Sequence, residues 1–139
     1  MGIVLDTAVL IAAERGAFDM AGYLAAQGDE PVALAAISAS ELLHGVERAR
    51  DPAVRQRRGA FVEGVLANVP VLAFGLAEAR AHARVWAALA AAGTIIGAHD
   101  LLVAATALAA GSAVATLNEA EFGRVPGVIL AQLGPFRRG

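Results

Sequence analysis

Cysteine, lysine and long apolar runs are absent from this chain of 139 residues, and each absence excludes a class of protein or site. Without cysteine there is no disulfide bond, zinc–thiolate site or cysteine nucleophile, as is usual in a reducing cytoplasm. Without lysine there is no Walker phosphate loop and no lysine-dependent phosphoryl-transfer site. No apolar stretch reaches the roughly 18 residues of a membrane helix, and no signal peptide is evident. We therefore expect a cytoplasmic protein with no membrane partner.

Length and charge narrow the possibilities further. A chain of 139 residues suits one domain, spanning residues 1–139, with a core of its own. The net charge of −2 predicts no broad basic surface. All eleven lysine or arginine positions are arginine, so any contact with nucleic acid must be local and made by guanidinium groups, which bind phosphate in a bidentate manner.

Short β-branched or apolar runs alternate with longer amphipathic segments, a pattern typical of α/β folds with a mainly parallel sheet. The pattern predicts strands over residues 3–5, 32–37, 69–74 and 113–116, and a short fifth strand over 127–130. It predicts helices over residues 9–15, 18–27, 38–50, 53–68, 76–92 and 98–110. In the helix over 76–92, Val85, Trp86 and Leu89 are expected in the core, with residual apolar surface available for association.

Four acidic residues lie at predicted strand ends or helix starts. Asp6 follows the first strand, Glu41 lies in the first turn of the helix after the second strand, Asp100 opens a helix, and Glu121 follows the fourth strand. Asp6 and Asp100 lie within apolar runs and have no arginine beside them, and an ionised carboxylate in such surroundings needs a partner. Carboxylate oxygens favour Mg²⁺ or Mn²⁺ over zinc, so a shared site for such an ion is predicted.

Each acid, taken alone, also has a structural interpretation. Asp6 is suited to a turn or a helix cap, and Asp100 is an ordinary acid at a helix start. Glu41 lies three residues after Ser38, the spacing of a capping box. Glu121, beside Phe122, is explained equally well as a solvated acid. The shared placement of all four at strand ends favours a common site.

Four sequence blocks resemble those of PIN-domain toxins of the VapC type, in the same order and at similar spacing. The blocks are LDTAVLI (5–11), ISASELLHGVERA (37–49), HDLLVAATAL (99–108) and TLNEAEFGRVPGV (116–128). The resemblance implies a PIN-like α/β/α sandwich and RNA cleavage that depends on Mg²⁺, with Mn²⁺ as a substitute. It also implies a homodimer and a small VapB-type antitoxin as partner.

The resemblance assigns Asp6, Glu41 and Asp100 to an acidic metal-binding core. The fourth acid varies in the family, and here Asn118 stands where some members have Asp, which leaves Glu121 as the fourth. We expect Thr7, Thr116 and Asn118 to support the acids by hydrogen bonds. Arg15, Arg48 and Arg50 are candidates to bind the RNA backbone.

Two other interpretations remain open from the sequence. Ala8 stands where many members have Asn, and together with Asn118 it allows a PIN-like binding module with weakened catalysis. A different Mg²⁺-dependent nuclease or phosphatase on a similar sheet is the second. The sequence does not identify the RNA cleaved, the number of metal ions or the stoichiometry with an antitoxin.

Overall fold

Four short strands form a parallel sheet in the computed structural model, which describes residues 1–138. The strands are β1 (Ile3–Leu5), β2 (Val32–Ala35), β3 (Val71–Leu72) and β4 (Ala113–Ala115), in the order β3-β2-β1-β4. Every neighbouring pair is parallel. The strands are short apolar runs, as expected for parallel strands that helices cover on both faces.

Helices connect the strands and cover both faces of the sheet. They are α1 (Thr7–Glu14), α2 (Met20–Ala26), α3 (Ala36–Glu47), α4 (Pro52–Asn68), α5 (Leu76–Ala91), α6 (Ala98–Ala109) and α7 (Glu119–Phe122), followed by a 3-10 turn over Gly134–Phe136. Within residues 1–138 none of these helices has the length and apolar character needed to cross a membrane.

The sheet separates two apolar cores, which confirms the predicted α/β/α sandwich. Ile3 and Leu5 of β1 belong to the first core, whereas Val4 belongs to the second, because successive side chains of a strand point to opposite faces. Helices α1, α2, α3 and α4 contribute to the first core, and α5, α6 and α7 contribute to the second.

Three local predictions were wrong. The segment 127–130 is not a strand, since only Leu130 forms a single parallel bridge, to Val114. The third strand comprises Val71–Leu72 instead of residues 69–74. Trp86, expected in the core, is 61% exposed, while its neighbours Val85 and Leu89 are buried.

Helix α3 begins earlier than predicted, and this changes the interpretation of Glu41. Its N-cap is Ala35, which provides no side-chain cap, and Ser38 lies inside the helix and is completely buried. The predicted capping box between Ser38 and Glu41 is therefore wrong. Glu41 lies in the second turn of α3, where it has no capping function to perform.

Candidate metal centre

Asp6 stands where β1 ends and α1 begins. Its backbone N–H donates to the carbonyl of Ala115 at 2.8 Å, which joins the ends of β1 and β4. Its side chain is 4% exposed and is the N-cap of α1. Oδ2 accepts a hydrogen bond from Thr116 Oγ1 at 2.8 Å, and Oδ1 accepts one from the backbone N–H of Thr7 at 2.9 Å. The sheet thus fixes the position of this carboxylate.

Asp100 lies in the first turn of α6, close enough to the other three acids to be affected by their charges. Burial, followed by the negative charges of Asp6 and Glu121, raises the pKa of Asp100 to about 7 from its ordinary value of 3.8. Burial also raises the pKa of Asp6, against the lowering effect of its hydrogen bonds. Both carboxylates are therefore costly to ionise in the absence of a counter-charge.

Glu121 connects α7 to the start of α6. Its Oε1 accepts a hydrogen bond from the backbone N–H of Gly97 at 2.6 Å, and its Oε2 accepts one from Asn118 Nδ2 at 2.5 Å. The hydrogen bond from Gly97 is the main reason why the pKa of Glu121 is lowered. A hydrogen bond with Asp100 favours ionised Glu121 and protonated Asp100. The contact thus raises the pKa of Asp100 and lowers that of Glu121.

Glu41 approaches from α3 and contacts the first turns of α1 and α6. Thr7 Oγ1 donates to its Oε1 at 2.9 Å. His99 Nδ1 lies 3.5 Å from its Oε2, and both side chains are partly exposed. Glu41 is therefore held beside Asp6 and Asp100 by residues that directly follow or precede those acids in sequence.

The four predicted acids, which we call the acid cluster (Asp6, Glu41, Asp100 and Glu121), meet at the carboxyl edge of the sheet. The side chains of Thr7, Thr116 and Asn118 each donate a hydrogen bond to one of them, to Glu41, Asp6 and Glu121 in that order. Two residues outside the predicted site also contact the acids: His99 approaches Glu41, and the backbone of Gly97 donates to Glu121. The adjacency of His99 to Asp100 was a usable signal, whereas nothing in the sequence indicates that the backbone of Gly97 meets Glu121.

The donor set fits a hard divalent cation. Within residues 1–138, no three acidic or histidine side chains already stand in a metal-binding arrangement, and the acids hydrogen-bond to neighbouring hydroxyl, amide and backbone donors. In the same part of the chain no arginine forms a salt bridge with the acid cluster. The negative charge is therefore largely uncompensated, and its ligand atoms are oxygen, the type that Mg²⁺ and Mn²⁺ prefer.

Gly97 leaves room beside two of these oxygens. A Cβ atom at this position would lie 3.4 Å from Glu121 Oε1 and 3.5 Å from Asp100 Oδ2. A branched side chain would extend into the space between these carboxylates. The small residue at the start of α6 thus keeps this side of the acid cluster accessible.

Comparison with known proteins gives the same family as the four sequence blocks. The family model described as PIN domain matches residues 3–128. A Rickettsia bellii protein named Ribonuclease VapC is 34% identical over 91% of this chain and 92% of its own length. A Salmonella typhimurium protein named tRNA(fMet)-specific endonuclease VapC is 34% identical over 68% of this chain and 70% of its own.

A solved structure agrees with these relatives. The crystal structure of DNA-bound VapBC from Salmonella typhimurium contains a chain with a TM-score of 0.85 and 26% identity, covering 94% of this chain and 97% of that one. Its fold matches the parallel sheet between helical layers described above. The chain belongs to the PIN-domain family and, within it, to the VapC ribonucleases of toxin–antitoxin systems.

Proposed function

We propose that this chain cleaves RNA phosphodiesters hydrolytically at the acid cluster, with Mg²⁺ as the working ion and Mn²⁺ as a substitute. The observation that supports this most directly is the rise of the Asp100 pKa to about 7, caused by burial and by the neighbouring carboxylates. A site with this electrostatic imbalance suits a divalent cation and a nuclease.

Asp6, Asp100 and Glu121 would hold the ion, and Glu41 would bind it as well or orient the attacking water. The ion, when bound, supplies a Lewis acid that lowers the pKa of water and stabilises charge on the phosphate. The chain's own residues fix the geometry. Thr116 and the N–H of Thr7 orient Asp6, and Asn118 and the N–H of Gly97 orient Glu121.

Glu41 is oriented separately from the other acids. Thr7 Oγ1 donates to one of its oxygens, and His99 lies near the other. Because Thr7 contacts Asp6 through its N–H and Glu41 through its hydroxyl, this residue fixes the spacing between the two carboxylates. A water molecule between Glu41 and a phosphate would be well placed to lose its proton to Glu41.

The partner we propose is a small VapB-type antitoxin. The similar Salmonella typhimurium chain was solved in a VapBC assembly bound to DNA. We propose that such an antitoxin would inhibit this chain by covering the acid cluster.

We also propose a homodimer, supported by an exposed apolar surface. Five large hydrophobic side chains, which we call the apolar face, are exposed along β3, α5 and the segment before α6: Val71, Phe74, Leu76, Trp86 and Ile95. Beside them lies an apolar hollow of about 550 Å³ between α5 and the start of α6. The rings of Phe74, His82 and Trp86 pack one against the next along this surface, and exposed apolar surface of this kind often marks an association site.

A metal-titrated cleavage assay tests the proposed activity. The purified chain is incubated with an RNA oligonucleotide and with DNA of the same sequence, in EDTA, Mg²⁺ or Mn²⁺. We expect cleavage of RNA only, and only with metal. Equal cleavage of DNA would indicate a general nuclease, release of terminal phosphate alone would indicate a phosphatase, and RNA binding without cleavage would indicate a binding module.

The substrate class is then examined with natural RNAs. Because one relative is named for a transfer RNA, total tRNA is compared with ribosomal and messenger RNA under the same conditions. Rapid cleavage of tRNA at a single position would define the substrate. Uniform degradation of all three would show that specificity depends on something other than this chain.

A further inference from the structure

A narrow cleft between α1 and α3 opens beside Glu41. Its walls include Glu14 and Arg15 at the end of α1 and Gly45 and Arg48 on α3, and Arg58 of α4 closes one side. Its volume is about 80 Å³, which admits a small group such as a phosphate but not a packed helix. We call it the α1–α3 cleft.

The cleft extends away from the acid cluster along one face of α3. Glu41, Gly45 and Arg48 are spaced by four and three residues, so they lie on the same side of the helix. Seven residues of helix span roughly 10 Å, which corresponds to about three nucleotides of a stacked strand. Gly45 has no side chain, so backbone forms the floor between Glu41 and Arg48.

The three arginines around the cleft differ in how their charge is compensated. Arg58 pairs with Glu14 at 3.4 Å and donates to the carbonyl of Gly45 at 3.0 Å. Arg15 and Arg48 are exposed, and across residues 1–138 neither forms a salt bridge. Two positive charges therefore remain available at the end of the cleft farthest from the acids.

Arg15 and Arg48 also occupy equivalent positions, since each is the C-cap residue of its helix. A cation stabilises any helix C-terminus, so capping alone would favour arginine at the other helices too. The other α-helices in the described part of the chain end instead in Gln27, Val69, Ala92, Ala110 or Gly123. Among the α-helices of residues 1–138, arginine is therefore the C-cap only of α1 and α3.

The negative charge near the acid cluster explains why an RNA strand would need the positive charges of Arg15 and Arg48. The carboxylates repel a phosphate backbone, the chain has a net charge of −2, and the carbonyl ends of α1 and α3 are also partly negative. An RNA strand leaving the acid cluster along α3 would meet the charges of Arg15 and Arg48 in the cleft, neither of which forms a salt bridge within residues 1–138. Guanidinium groups bind phosphate in a bidentate manner.

We infer that Arg15 and Arg48 bind the phosphate backbone of the RNA substrate, a few nucleotides from the scissile bond. This inference rests on the proposed ribonuclease function and adds a substrate-binding site to it. The two arginines hold the strand in register with the acid cluster and take no part in bond cleavage.

The test compares R15A/R48A with R80A/R84A. The control variant removes the same charge from exposed arginines of α5, which do not line the cleft.

Two RNA measurements are made: steady-state cleavage, and binding of a labelled single-stranded RNA at several salt concentrations in a D100N background. For R15A/R48A we expect KM to rise about tenfold at unchanged kcat. The log–log salt slope should fall by about 1.4, since each lost contact to a single strand removes about 0.7.

R15K/R48K should recover part of the binding and the salt slope, because lysine retains the charge but cannot bind phosphate in a bidentate manner. Unfolding temperatures identify any purely structural effect, and R15Q/R48Q replaces the alanine variant if that variant fails to fold. If the wild type cleaves RNA and R15A/R48A keeps its KM and salt slope, this inference fails and the proposed function stands. If R15A/R48A weakens RNA binding although the wild type does not cleave, the assignment of the two arginines to RNA binding stands and the proposed activity fails.

Two further outcomes overturn the inference. A wild-type chain that does not bind RNA would remove both proposals. A loss confined to binding of a synthetic acidic peptide, with RNA binding unchanged, would make the cleft a surface for a protein partner instead.

Discussion

The acid cluster and the apolar face are each unfavourable in the isolated chain, but for opposite reasons. In the acid cluster, Asp6 and Asp100 are charged groups in surroundings that raise their pKa values. In the apolar face, Leu76, Trp86 and Ile95 are hydrophobic groups exposed to water by 68%, 61% and 87%. Burying a charge and exposing an apolar side chain both reduce the stability of the isolated chain. We propose that something binds at each region, a cation at the acid cluster and a second copy of the chain at the apolar face.

We expect the largest effect from removing one carboxylate of the acid cluster. Asp100→Asn should reduce RNA cleavage by roughly a thousandfold, because it removes a proposed metal ligand. The same change should leave the metal-free unfolding temperature equal or higher, since Asp100 is costly to ionise there. Cleavage rates and thermal unfolding are measured on the same preparations. A variant that cleaves at the wild-type rate would refute the assignment of Asp100.

The next largest expected effect is on self-association, from a charge placed on the apolar face. Ile95→Glu should weaken self-association by about a hundredfold, because a carboxylate would be buried against the partner copy. Ile129→Glu is the matched control, since Ile129 is also exposed but lies outside the apolar face. Sedimentation velocity over a range of concentrations measures the change. Equal behaviour of the two variants would show that the apolar face is not the dimer interface.

Metal addition should raise stability through the acid cluster alone. Mg²⁺ or Mn²⁺ at 100 times its Kd would add about 2.7 kcal/mol to the free energy of unfolding, which is several degrees in Tm. The increase should disappear in Asp100→Asn and persist in Ile95→Glu. Thermal unfolding with and without EDTA provides the measurement. An unchanged Tm at millimolar metal in the wild type would contradict the proposed metal site.

The smallest effect concerns pH in the absence of metal. Because the pKa of Asp100 is raised from 3.8 to about 7, the folded chain binds more protons than the unfolded chain between these values. This contribution to stability is therefore greatest at low pH and is lost as the pH rises towards 7, with Asp6 acting in the same direction. Chemical denaturation of wild type and Asp100→Asn between about pH 5 and 8 isolates it. A difference between the two that is independent of pH would contradict the shift.

The sequence was most informative about elements and least informative about their ends. Apolar runs correctly indicated β1, β2 and β4, and the spacing of polar residues indicated the helices around them. The start of α3 was misplaced because Ser38 has the local character of an N-cap, although the fold buries it inside the helix. Tertiary burial outweighed that local preference. Val85 and Trp86 are adjacent, yet one is buried and the other exposed, which depends on the packing of α5.

The same distinction holds for the acid cluster: the sequence indicated its acidic residues, and the tertiary structure determined their contacts. The family blocks and the apolar settings of Asp6 and Asp100 identified the four acids, since these signals extend over only a few residues. The supporting contacts join residues distant in the chain, such as Thr116 to Asp6 and Gly97 to Glu121, 110 and 24 positions apart. Sequence alone therefore determined which side chains are available. Only the parallel sheet, which brings its carboxyl ends to one edge, decided which of them meet.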